Sequence, residues 1–154
     1  MSEYGGEKMP QTLVEFARSV NTNLSFGPPI PIDGTPHLIL EFGMPVPPAP
    51  SNFVELATTV GWEAVNVFAT PPVQPTLLLE LLVNGILVGS AEQSAIPADG
   101  GDPIRMTTMF QTILTDLPED YYAFQIFASN LEDLQGEINL RGPIHITGKV
   151  IVPV

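Results

Sequence analysis

Apolar and polar positions change their rhythm near residue 50. From Phe53 onward they alternate with the period of two that a half-buried strand requires. In Phe53–Val60, Val54, Leu56, Thr58 and Val60 share one side, and Glu55, Ala57 and Thr59 the other. Thr76–Val83 and Ile86–Ser90 flank Asn84-Gly85, a dipeptide suited to a type I′ hairpin because both central residues need positive φ. Arg105–Thr115 alternates again, with Met106, Thr108, Phe110, Thr112 and Leu114 together. A turn at Asp116–Asp120 leads into a strand over Tyr121–Ser129. Glu137–Leu140 and Ile144–Val152 read as two closing strands separated by Arg141-Gly142-Pro143. Strands at roughly ten-residue spacing predict an all-β fold, an antiparallel jelly-roll β-sandwich of about eight strands over residues 51–154.

Some apolar residues fall on the wrong side of this alternation. In Thr76–Val83, Leu78 and Leu82 oppose Leu77, Leu79, Leu81 and Val83. Ile113 and Ile151 also oppose their strands' inward sets. A strand apolar on both faces is central or covered by another subunit, so the outer face of one sheet is expected to be partly covered.

Residues 1–50 predict an extended N-terminal arm or connector. Phe26–Pro50 holds eight prolines in twenty-five residues, which excludes a helix or a central strand and favours extended segments. Yet Ile30, Ile32, Leu38, Ile39, Leu40, Phe42, Met44 and Val46 are too apolar for a solvated linker. The arm therefore lies on something, either a neighbouring subunit or its own domain. The candidate subunit-interface residues are Leu24, Phe26, Ile30, Ile32, Leu38, Leu40, Phe42, Leu78 and Leu82. Ahead of the prolines, Leu13, Phe16, Ala17 and Val20 fit one face of a short helix over Thr12–Val20. A strand, or a segment ordered only on assembly, fits as well.

Composition narrows the function classes. Charged residues are 14% of the chain, well under the roughly 25% of a soluble domain. Carboxylates outnumber basic side chains 17 to 5, for a net charge of −12, which opposes nucleic acid and anionic membranes. The absence of cysteine removes disulfides and thiolate metal sites. Met1–Pro10 is polar, with Glu3 and Glu7, and unlike a secretory signal. No apolar run reaches the about 18 residues of a membrane helix.

No catalytic constellation emerges. His37 and His145 lack metal-ligand spacing, and His145 alternates with Ile144 and Ile146 so as to face outward. No cofactor motif is present. Ala98–Asp102 lacks the Lys and Ser/Thr of a phosphate loop. Asp99 with Asp102, or Asp116 with Glu119 and Asp120, offers oxygen ligands to calcium, but such residues are also ordinary turn formers. Trp62 and the Tyr121-Tyr122 pair suit core or sheet-edge packing.

Several segments resemble the jelly-roll domains of spore-surface proteins in Bacillus and its relatives, which are shaped like tumour-necrosis-factor and complement heads. They are Val54–Gly61, Leu79–Gly85, Thr107–Leu117 running into Pro118 and Tyr122, and Gly142–Gly148. The resemblance implies a structural protein, not an enzyme: a homo-oligomer (trimer, ring or filament) of the exosporium or an endospore appendage. It implies synthesis in the mother-cell cytoplasm and a spore-surface anchoring partner. In appendage subunits an N-terminal connector docks into the next subunit, and cysteines crosslink neighbours. This chain lacks them, so its contacts would be non-covalent. A trimeric jelly-roll module that binds carbohydrate or protein is the alternative.

Overall fold

In the computed structural model, residues 11–67, 74–96 and 103–153 are described, and none of them is helical. The strands are β1 (Gln11–Thr22), β2 (Ile30–Ile32), β3 (His37–Val46), β4 (Phe53–Val65), β5 (Thr76–Val83), β6 (Ile86–Ser94), β7 (Ile104–Thr115), β8 (Asp120–Asn130) and β9 (Glu137–Pro153). They form a β-sandwich. The front sheet runs β1-β9-β4-β7, with β2 also paired to β9, and the back sheet runs β3-β8-β5-β6.

The antiparallel pairing is nested. β5 pairs with β6, β4 with β7, β3 with β8 and β1 with β9, and successive pairs alternate between the sheets. One long hairpin, doubled at Asn84-Gly85, is thus wound into two layers, a path compatible with the expected jelly roll. The doubling point has φ 49° at Asn84 and 82° at Gly85, the left-handed pair that a type I′ turn needs.

The core is the inward alternation from both layers. Val54, Leu56, Val60 and Trp62 of β4 and Ile144, Ile146 and Val150 of β9 meet Leu77, Leu79 and Leu81 of β5 and Phe124 and Ile126 of β8. Phe42 stacks on Phe124 with ring centroids 5.1 Å apart. Trp62 donates its indole N–H to Thr108, 2.9 Å away, and Thr108 in turn bonds to Gln93 of the back sheet. This chain of polar contacts joins the two layers.

Two expectations need correction. Residues 11–46 do not form an arm outside the domain: β1, β2 and β3 belong to the two sheets, so a boundary at residue 50 separates no domains. Proline does act as expected, in that β3, which carries Pro45, lies at a sheet edge where a missing N–H breaks no ladder. Of the alternatives open for Thr12–Val20, the strand is the one observed. A register shift between Leu13 and Glu15 puts Leu13, opposite Ile151, and Phe16, opposite Lys149, on the same outer face, which imitates helical spacing. Finally, Glu137–Pro153 is one strand that passes through Arg141-Gly142-Pro143 with a shift in register instead of two strands.

Candidate assembly interface

The predicted interface residues divide by burial. Ile32, Leu40 and Phe42 are core residues and are not free to meet another subunit, because β2 and β3 fold onto their own sandwich. Leu24, Phe26 and Leu38 are exposed. Ile30, Leu78 and Leu82 are half-buried, the two leucines on the outer face of the back sheet.

The larger apolar surface lies on the opposite layer. Pairing registers place Leu13, Ile151, Phe53 and Thr115 in one row across the outer front face, and Phe16, Lys149, Glu55 and Ile113 in the next. Further along, Val20, His145, Thr59 and Met109 form a third such row. Met109 is 72% exposed and Ile113 57%, and Leu13, Phe16, Val20 and Phe53 are also exposed. The expected covered face is thus spread over two sheets, with Ile113 and Ile151 in front and Leu78 and Leu82 behind. The opposing positions of Ile113 and Ile151 signal this face in the sequence. Leu13 and Phe16 carry no such signal, since the bulge that aligns them is invisible to a period-two pattern.

The four sheet edges are guarded unequally. β1 has two register shifts, β3 has a shift and Pro45, and β6 has a shift against β5 and carries Glu92. β7 pairs with β4 over twelve residues without a shift, and Arg105 is its only charge. Bulges, prolines and charges are the means by which edges avoid pairing with other chains, and β7 has almost none of them.

A pocket of about 340 Å³ opens at the end of the sandwich where β7 begins, lined by residues that include Phe26, Arg105, Met106 and Arg141. Arg105 and Arg141 lie 4.4 Å and 5.4 Å from the centroid of the Phe26 ring. Beneath them sits Glu63, its side chain 6% exposed, 3.2 Å from Arg141 and 3.8 Å from Arg105. Arg141 also donates to the Gly27 carbonyl, and the Gly27 N–H donates back to the Arg141 carbonyl. Together these contacts tie the β1–β2 connection to the sheet. Neither Arg105 nor Arg141 stands out in the sequence, because β7 and β9 meet only through pairing with β4.

A third cluster has no catalytic geometry. Asp33 accepts hydrogen bonds from the Thr35 hydroxyl and amide and lies 2.8 Å from His37 Nε2. The Thr35 bonds first, and then His37, hold the Asp33 carboxyl well below the usual carboxylate range. Thr35 approaches the same Nε2 that Asp33 contacts, whereas a relay needs the opposite ring nitrogen. Among the described residues no group of three His, Asp or Glu converges as a metal site would require, and Asp116, Glu119 and Asp120 do not do so. Asp99 and Asp102 lie outside the described residues. His145 faces outward from β9, beside Thr59 and Val20. Tyr122 is buried and donates its hydroxyl to the Pro118 carbonyl at 2.7 Å, while burial raises its pKa.

No protein family and no curated protein matches this sequence. Among solved structures, the chain is similar to dimeric latent PorU from Porphyromonas gingivalis, at 16% identity and a TM-score of 0.40. The match covers 99% of this chain and 14% of that one.

Proposed function

We propose that this protein is a structural subunit that assembles with copies of itself through non-covalent contacts and carries no catalytic activity. The observation that supports it best is the set of exposed large apolar side chains on the outer face of the front sheet, bordered by the unguarded edge of β7. Its size suits the role. Four strands about 4.8 Å apart and twelve residues long at about 3.3 Å each cover about 750 Å², near the about 800 Å² per partner of a standard interface. Leu13, Phe16, Val20, Phe53, Met109 and Ile113 stand exposed on that face among Arg18, Glu55, His145 and Lys149, a mixture of apolar and polar groups usual for a non-obligate interface. The resemblance to spore-surface subunits supplies a setting, a fibre or layer on the spore held without disulfides. The connecting role assigned to residues 1–50 passes to this face and edge, since β1 to β3 are part of the sandwich.

Sedimentation velocity and negative-stain electron microscopy of the full chain test the proposal. The expected result is concentration-dependent rings, filaments or sheets that Met109→Lys with Ile113→Lys disperses without lowering the melting temperature. A wild-type chain that stays monomeric at all concentrations overturns it.

A further inference from the structure

Resting on the self-assembly reading, we infer that the Phe26–Arg105–Arg141 pocket receives the acidic turn Asp116–Asp120 of a second copy, joining subunits head to tail. Charge identifies the occupant. At a net charge of −12, copies repel one another, so a contact between them needs a cationic site. Arg105 and Arg141, two of the five basic residues, converge on one pocket, while Arg18 and Lys149 stand apart on the outer front face. Glu63 balances one of the two guanidinium charges, and the other is left to attract a carboxylate of an acidic turn.

Arg105 has donors to offer. Its side chain is 59% exposed and, among the described residues, its only ionic contact is the 3.8 Å approach to Glu63. Its planar fork suits a carboxylate bonded through both oxygens. The ligand surface is at the other end of the molecule. Asp116 directly follows the last residue of β7, and Arg105 is the second residue of that strand, so β7 separates turn from pocket by about 35 Å. Asp116, Glu119 and Asp120 are exposed there. Exposed Pro118 and Tyr121 beside them match the exposed Phe26 and Leu24 beside the arginines. A contact between different surfaces at opposite ends is heterologous and propagates along the strand direction.

Charge exchange tests this. Assembly of the full-length protein is followed by sedimentation velocity, with near-ultraviolet circular dichroism of Trp62 as a folding control. Glu119→Arg lies in an exposed turn and Arg105→Gln removes an exposed charge, so both variants keep the fold. Each is expected to raise the concentration needed for assembly by about tenfold or more. The Glu119→Arg, Arg105→Glu double variant is expected to return it to within about threefold of wild type. Filaments should show an axial repeat of about 35–40 Å. If the wild type assembles and the single variants assemble equally well, or the exchange restores nothing, the inference is overturned while self-assembly through the front face stands. A wild-type chain that never assembles removes both.

Discussion

Gly61 and Gly142 face each other across the front sheet with no room for a side chain between them: a Cβ on Gly61 would overlap the Gly142 carbonyl. The contact marks the register shift between Val60 and Trp62, where β9 bends past β4. Gly142 itself has φ 114°, which L-residues rarely adopt. The obstacle is backbone and cannot swing aside. Gly61→Ala is therefore expected to cost at least the upper end of the about 1–3 kcal/mol typical of overpacking. At Gly43 a Cβ would instead meet the exposed ring of Tyr121, which can rotate away. Gly43→Ala should stay within about 1 kcal/mol of neutral. Urea denaturation of both variants checks the contrast, and equal losses would contradict it.

Deleting residues 1–50 is expected to abolish folding. The truncation removes Leu40, Phe42, Met44 and Val46, all core residues, and leaves β8 without its β3 partner. Each lost side chain is worth about 2–5 kcal/mol, and a domain has only about 5–15 kcal/mol in all. Circular dichroism and proteolysis of the truncated chain provide the check. A compact, cooperatively melting product would mean that β1 to β3 are dispensable.

That outcome turns on the part of the chain least legible in its sequence. The strands beyond residue 50 can be read because their inward residues alternate cleanly: Val54, Leu56, Thr58 and Val60 point inward as the pattern predicts, as do Thr108 and Thr112. In His37–Val46 the same alternation is present, with Leu40, Phe42, Met44 and Val46 inward, but the surrounding prolines mask it. Proline disfavours a central strand except at an irregularity, as at Pro143 in β9, and leaves an edge strand allowed, and local pattern cannot tell whose sheet that edge belongs to. The exposed front face is only half legible for a similar reason. Ile113 and Ile151 break their patterns visibly, while Leu13 and Phe16 align only through a bulge. Of the arginine pocket only Phe26 is singled out by sequence, since the pocket depends on three strands and a connection distant in sequence.

Acid titration should single out Asp33. Its carboxyl is held below the usual range, first by the Thr35 bonds and then by His37. A group whose pKa is depressed by folding contributes stability above its unfolded pKa of about 3.9 and loses it as the pH falls toward the folded value. The margin of wild type over Asp33→Asn is thus expected at neutral pH and should shrink only below about pH 4. Nuclear magnetic resonance titration of the Asp33 side chain should give a midpoint below those of the other aspartates. A midpoint among theirs would show that the Thr35 and His37 bonds do not persist in solution.

Arg141 should matter more to the fold than Arg105, although both face Glu63. Arg141 lies 3.2 Å from the carboxylate and holds the Gly27 carbonyl at 2.9 Å, whereas Arg105 approaches only to 3.8 Å and is more exposed. Arg141→Met leaves the Glu63 carboxylate buried with one distant partner, and breaking such a pair costs about 3 kcal/mol or more. Arg105→Met removes a well-solvated contact worth about 0–1 kcal/mol. The Glu63→Gln, Arg141→Met double variant should recover part of the loss, because no unpaired charge then remains inside. Thermal melts of the three variants decide the matter. A double variant no more stable than Arg141→Met alone would assign the cost to the lost grip on Gly27 instead of to the stranded carboxylate.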